Sequence, residues 1–357
     1  MPHNSAFQRL GMLVSTHLLA ASSKPDLEKV IKHHALVGVE YAETIQDKSQ
    51  HQFATLEGSA VHVDRRTANG SILISASGGW PHMQSELYPR DMLTQTGVIH
   101  ELSDILIPHS VDLTIGKLIR AAKGTTMTTM LVKAGLDFIL NGTEPPESSP
   151  WADMGISGTG WTLLCPTDDA FKQINLTELY ADEERLRAIV TQHLIPAQTP
   201  SKTPADFAAN GFLRMEDVVN NNSPLSMEDA ATYTTLHTRD AIYGDIVFRD
   251  LGDEQGTVVG VKGARGAQGR RDWAHVVSWG RATKGGGVGG VVQIDRLLVP
   301  YEPQWWIEYG PPLAVGVIGV VLICLFFLGV RMIWRRDTTE ATYEPAGGFG
   351  HDDSDDS

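Results

Sequence analysis

Three arrangements of apolar and polar residues run along this chain, and each occurs twice, in the same order. The first is a corner: Pro2-His3-Asn4-Ser5-Ala6-Phe7 is answered by Pro166-Thr167-Asp168-Asp169-Ala170-Phe171. The second is a stripe ending in histidine. Leu27, Val30, Ile31 and His34 are answered by Leu186, Ile189, Val190 and His193, a spacing of i, i+3, i+4, i+7 that lies on one face of a helix. The third is an apolar run ending in proline, Gly97 to Pro108 answered by Gly289 to Pro300. Three marks in register predict the duplication of one supersecondary unit.

Within the second unit, Trp161 to Cys165 predicts a short buried strand that Pro166 stops. Thr167 or Asp168 can then accept a hydrogen bond from a free helix N–H, and Phe171 falls where its ring can enter the core. The stripe predicts a helix over 182–194, with Asp182, Glu183 and Glu184 in a first turn that suits the macrodipole. The first unit repeats this helix after Pro25. The remainder of each unit reads as strands: 53–57, 60–64 and 71–75 lead into 97–100, and 241–248, 256–261 and 274–279 lead into 289–300. Helices come first and strands later, so the class is α+β, with two units at 1–110 and 111–302.

Beyond them, Leu313 to Val330 is free of charge and long enough for a membrane helix. Trp305, Trp306 and Tyr309 precede it, Trp334 follows, and Pro311 and Pro312 sit at the start. Arg331, Arg335 and Arg336 follow directly, whereas Glu302 and Glu308 lie ahead in a linker at 303–312. The positive-inside rule then expects a cytosolic C-terminus and both units on the lumenal or outer face. The other reading of the run is a buried core helix. Residues 331–357 are acidic and glycine-rich and are expected to be a disordered cytosolic tail. The first unit starts inside its corner, whereas the second carries residues 112–165 ahead of it. The expectation is a first unit without its opening elements or a leader. A tail anchor is the alternative, but it sends three arginines across the membrane. Four sequons, at Asn69, Asn141, Asn175 and Asn221, favour the lumenal side.

The formal charge of −14 repels phosphate backbones and argues against nucleic acid as a partner. Only two cysteines occur, Cys165 in the apolar strand and Cys324 in the membrane-length run, which cannot pair with each other. Asp168 and Asp169 are either a paired carboxylate site, which would suit a hydrolase, or caps; capping is the reading adopted. His34 and His193 are either ligands or core-edge histidines bonded to a backbone carbonyl, and the latter is adopted because no second ligand stands at a fixed spacing from both. His100-Glu101 opens like a zinc-protease helix without its second histidine, and residues 285–290 satisfy G-x-G-x-x-G but open a strand. The basic stretch 262–271 reads as an inter-strand loop. No catalytic, cofactor or metal site is expected.

These residues resemble the fasciclin (FAS1) domain family. Its first block, T-x-x-x-P-[TN]-[ND]-x-A-F, is similar to Thr162, Pro166, Thr167, Asp168, Ala170 and Phe171, and to Pro2, Asn4, Ala6 and Phe7. His34 and His193 match the histidine of the family's Tyr-His pair, with His33 and Gln192 where tyrosine is usual. The closing block resembles Gly97, His100 and Pro108 in the first unit, with Ser103 replacing an aspartate. It resembles Asp295 and Pro300 in the second, with Val292 replacing the histidine. The resemblance implies two β-wedge domains with packed helices and structural roles for these residues. It also implies a non-enzymatic, membrane-anchored adhesion or tethering protein binding a protein or glycan. The C-terminal anchor looks most like fungal members, at the vacuolar membrane or cell surface. The alternative function is an endomembrane trafficking or fusion factor.

Overall fold

The computed structural model describes residues 1–42, 50–65, 72–76, 84–196, 232–238, 244–251, 256–261, 273–284, 289–301 and 310–337. It falls into two units, Met1–Tyr301 and Glu302–Ser357. The first unit is α+β. Three helices open it: α1 (Asn4–Leu10), α2 (Met12–Leu19) and α3 (Lys24–His33). The His3 side chain accepts from Ser5 N at the start of α1, and Pro25 stands at the start of α3, where its missing N–H leaves no bond unmade.

Five strands follow in an antiparallel sheet of order β1 to β5: Gln50–Ala54, Ala60–Arg65, Ile72–Ser75, Gln84–Leu93 and Val98–Leu102. The sequence reading found β2, β3 and the start of β5, met β1 only at Phe53 and Ala54, and missed β4. That strand alternates as a half-buried strand should, with Ser85 and Leu87 buried and Glu86 and Tyr88 exposed, but serine and Pro89 hide the pattern. The register shifts between Tyr88 and Met92, so Pro89 sits at an irregularity in the ladder, where a missing N–H is tolerated. Strand β5 also ends earlier than the apolar run to Pro108 suggested.

Four short helices then lead into the second sheet: α4 (Ile115–Ala121), α5 (Thr125–Lys133), α6 (Asp137–Asn141) and α7 (Pro150–Asp153). Strand β6 (Trp161–Pro166) is buried throughout. It is followed by a 3-10 turn (Asp168–Gln173), α8 (Leu176–Ala181), α9 (Glu183–Gln192) and β7 (Leu194–Pro196). The Asp182 side chain caps α9 by accepting from Arg185 N at 3.0 Å, close to the start read from sequence. Strands β8 (Thr232–Tyr233), β9 (Ile246–Asp250), β10 (Thr257–Val261), β11 (Ala274–Arg281) and β12 (Gly290–Ile294) complete a seven-stranded sheet of order β7-β6-β12-β11-β10-β9-β8.

Strand β6 runs parallel to β12, pairing Pro166 with Ile294. Pro2 forms a parallel bridge to Leu102 at the matching place of the first repeat. The duplication seen in sequence is thus a duplication of strand pairing. The helices of the two repeats share one apolar core: Leu10, Leu13, Val14 and Leu18 belong to the same buried cluster as Ile115, Leu118, Leu163 and Phe171. Helix α2 lies on β11 and α4. Glycine makes the approach possible, because a Cβ on Gly280 would stand 2.7 Å from Leu13 Cβ. Gly11, at φ +93°, has no room either; its Cβ would strike the Trp279 carbonyl. A second core cluster lies within each sheet, around Val61, Ile74 and Leu87 in the first and Leu164, Phe248 and Ile294 in the second.

Among the described residues the second unit holds one helix, α10 (Gly310–Asp337). Val315–Trp334, 20 residues of mean hydropathy 2.6, carries no burial against protein.

Candidate functional site

The motif residues do structural work first. At the end of α3, His34 Nδ1 donates to the Val30 carbonyl at 2.7 Å, and Nε2 accepts from Leu106 N at 3.0 Å. At the end of α9, His193 Nδ1 donates to the Ile189 carbonyl at 2.7 Å and Nε2 accepts from Leu298 N at 3.1 Å. One donor and one acceptor fix a single neutral tautomer in each ring. Burial pushes both histidines down, from the ordinary 6.5 to about 4. Each therefore ties the last turn of a helix to the segment behind the final strand of its sheet.

The residues just before these histidines also tie the helix ends, to loops beside the sheets. Gln192, fully buried, donates from Nε2 to the Gly244 carbonyl at 2.7 Å. His33, also fully buried, places Nδ1 3.1 Å from Ser59 Oγ and 3.6 Å from the Glu57 carboxylate. Its Nε2 has no hydrogen-bond partner among the described residues. Burial lowers the His33 pKa, with Glu57 opposing.

One further pin recurs in both repeats. Asp295 accepts from His275 N at 2.6 Å, while its own N–H donates to the His275 carbonyl at 3.0 Å. In the first repeat Ser103 Oγ accepts from Glu86 N at 2.8 Å, and Ser103 N donates to the Glu86 carbonyl at 3.0 Å. Serine thus keeps the contact of the aspartate it replaces. His100 bonds the Glu40 carbonyl through Nε2 at 2.8 Å and stands 3.2 Å from Asp91, whereas Val292 at the matching place is simply buried. Pro108 and Pro300 close the two runs, and Pro108 O accepts from Val111 N at 3.0 Å.

Asp168 caps a helix, but not the one the sequence suggested. Its carboxylate accepts from Thr125 Oγ1 at 2.6 Å and Thr126 N at 2.9 Å, at the start of α5. The Thr167 side chain caps nothing. A partner 42 residues away leaves no mark in local sequence. Burial opposes the charge on Asp168, but the bonds from Thr125 and Thr126 outweigh it and hold the carboxyl below its usual range. Asp169 instead pairs with Lys172 at 2.6 Å on the exposed surface, so the two carboxylates do not converge. Thr162 and Ala170 serve the corner: Thr162 is buried in β6, and Ala170 N closes the turn onto the Thr167 carbonyl at 2.9 Å. The Cys165 thiol is buried and pushed up to about 12, first by burial and then by Asp168, which leaves it inert.

Where the repeats differ, a cleft opens. Phe171 is 2% exposed but its counterpart Phe7 is 51%, and Val190 is 0% exposed but Ile31 is 62%. The stripe that placed Ile31 inside is overturned there. In the second repeat α5 covers this flank through contacts with α9 and the corner, and among the described residues nothing covers it in the first. The result is a largely apolar cleft of about 580 Å³ between α1–α3 and the five-stranded sheet. Pro2, Phe7, His34, Gly97 and His100 all border it. The structure thus gathers the motif residues of the first repeat around one hollow, while Pro166, Phe171, His193 and Val292 are buried in the second. Asn4 and Ala6 belong to α1, the latter in the core. The helix α5, which covers the flank in the second repeat, lies within residues 112–165, the stretch that the sequence shows ahead of the second corner.

Asn141, the last residue of α6, and Asn175, whose side chain accepts from Glu178 N at 3.4 Å, are both exposed. Asn69, Asn221, the basic stretch 262–271, the aromatic residues 305–309 and residues 338–357 lie outside the described residues.

The fasciclin domain family model matches residues 1–108 and 122–261, more than half of the chain. Human periostin is 26% identical over 198 residues, covering 54% of this chain and 19% of periostin; the chain spans about a fifth of that relative's length. A solved FAS1 domain pair from the insect cell adhesion molecule fasciclin I matches 85% of this chain and 87% of its own, at 15% identity and a TM-score of 0.33.

Proposed function

Because the chain belongs to the fasciclin domain family, we propose that it is a membrane-anchored, non-enzymatic adhesion or tethering protein. Its two fasciclin domains bind a protein or glycan partner on the lumenal or outer face of the membrane. Helix α10 is the observation that carries this reading. Twenty residues at ~1.5 Å each span the ~30 Å of a hydrocarbon core, and Val315–Trp334 meets that length without being buried in protein. Leu325, Phe326 and Phe327 are each more than half exposed, an arrangement whose natural solvent is lipid. Arg331, Arg335 and Arg336 follow, which favours a cytosolic C-terminus. Pinned corners and neutral, buried histidines suit a stiff scaffold that binds through its surface. Weak single-site affinity is offset by clustering in the membrane.

The test combines alkaline extraction with a glycosidase mobility shift. The full chain stays in the membrane pellet, and the Asn141→Gln and Asn175→Gln variants each lose one step of the shift. Release into the soluble fraction overturns the anchor; cleavage of the fasciclin domains by protease added to the cytosolic side overturns the topology.

A further inference from the structure

We propose that His17 is an acid-operated release in the joint between the two repeats: when its ring takes up a proton, helix α2 loosens from α4, while the connector at Ser110 stays tied. The joint is mainly apolar, with α2 lying on α4 and β11. One polar cluster is set into it. His17 of α2 is buried, with Nε2 3.5 Å from Asp26 Oδ2 of α3. Ser23 Oγ, from a 3-10 turn (Ala21–Ser23), lies 3.2 Å from Nδ1. The same Asp26 oxygen accepts from Lys117 Nζ of α4 at 2.9 Å. One carboxylate thus joins the two repeats with a histidine beside it. The matching helix of the second repeat, α8, carries no histidine, so the feature belongs to the joint and not to the repeat.

The balance of charge around the ring sets the direction. Asp26 of α3 and Lys117 and Arg120 of α4 act on it. On α1, Arg9 is paired with Asp104, and β11 meets α2 at Trp279 and Gly280. A single carboxylate therefore already answers two cations, and a proton on His17 adds a third where little water can reach it. Burial pushes the ring below its ordinary 6.5; Asp26 opposes this, and Lys117 and Arg120 add to it. Burial also opposes the charge on Asp26, but Lys117 and His17 outweigh it and hold that carboxyl below its usual range. A closed joint keeps the ring neutral and an open one lets it bind a proton at 6.5, so falling pH favours opening. One pH unit below 6.5 a freed ring is protonated about ten to one, so the open form gains up to about tenfold.

The other ties survive the same change of pH. Lys29 Nζ donates to the Ser110 carbonyl at 3.1 Å, and Ser110 Oγ donates to the Glu57 carboxylate at 2.6 Å, which fastens the first repeat to the connector. Burial opposes the charge on Glu57, but the bonds from Ser110 and Ser59 outweigh it and hold the carboxyl below its usual range. His33, 3.6 Å from Glu57, adds an attraction when it is protonated. His34 and His193 each act within one repeat and stay neutral down to about 4. Mild acid therefore frees the α2 side of the joint and leaves the connector as a hinge. The scaffold is stiff at neutral pH and jointed in an acidic compartment. The inference goes beyond the tethering function and stands without it.

The test is amide exchange on the full chain in lipid nanodiscs at pH 7.5 and 5.5, with each rate divided by its unprotected value at that pH. Protection of α2 and α4 should fall by about five- to tenfold in acid, while α9 and β10 keep theirs. His17→Gln, which does not titrate, should show no such fall. Lys117→Gln leaves Asp26 to the ring alone, so a protonated His17 is paired and the fall should shrink to about twofold or less. Unchanged protection in the parent overturns the proposal, as does an equal fall in His17→Gln. Loss at α9 and β10 in step with α2 also overturns it, because that is unfolding of the whole unit and not release of a joint. A His17→Gln protein already open at pH 7.5 passes the decision to Lys117→Gln, where a fall as large as the parent's overturns the proposal.

Discussion

His193→Gln tests whether the histidine ties set the acid stability of the fold. His193 is fully buried, and its partners are the Ile189 carbonyl and Leu298 N. Burial lowers its pKa from 6.5 to about 4, against the raising effect of the Ile189 bond. The unfolded chain takes up a proton as pH falls past 6.5, but the folded chain does so only near 4. The stabilisation is therefore complete above 6.5 and drains away between 6.5 and 4. At pH 5 the two titrations differ by about 2 kcal/mol, rising to about 3 kcal/mol below 4. That is a large part of a domain's total stability, which is about 5–15 kcal/mol. Glutamine does not titrate. The variant should lose about 1–3 kcal/mol at pH 7.5, where one of two backbone partners is left unmet. It should also lose about 2 kcal/mol less than the parent on going to pH 5. Urea unfolding at both pH values, read by tryptophan fluorescence in mild detergent, gives the comparison, and 2 kcal/mol moves the midpoint by about 1 M. His17, His33, His34 and His237, also lowered by burial, titrate in both proteins and cancel in the difference. An identical pH 7.5-to-5 loss in parent and variant refutes the reasoning.

Gly280→Ala should destabilise the first unit by about 1–3 kcal/mol, because a methyl meets Leu13 across a backbone-to-helix contact that cannot widen cheaply; thermal unfolding measures it. Asp168→Ala removes the cap of α5 and should cost about 0.5–2 kcal/mol at pH 7, a deficit that narrows in acid as the parent carboxylate takes up its proton. Ser103→Ala, which deletes the acceptor for Glu86 N, should speed amide exchange at Glu86, and Ser103→Asp should restore it.

The strength of the sequence reading follows the range of each interaction. The helix α9 was legible because its acidic start and its stripe lie within one short stretch, although Asp182, read as part of the first turn, is the cap. The histidine ties were half legible: the carbonyl partner is four residues back on the same helix, whereas Leu106 and Leu298 come from distant chain. Asp168 was read as a cap for the wrong helix, since its true partners follow from the fold. The helices α4 to α7 are 4–9 residues long, too short for a periodic stripe to stand out. The exposure of Ile31 was not read because the stripes at Ile31 and Val190 look alike, and only the neighbours decide which is covered.

The contact of Gly11 and Gly280, with Leu13, Val14 and Leu118 behind it, bears on how load would pass through the molecule. Beads on a slack cord yield one at a time and swivel between pulls. Two repeats welded through a common interior transmit tension as a single strut, and they should rupture in one event of high force. A sawtooth with two separate peaks in single-molecule pulling would show that the weld is weaker than the beads.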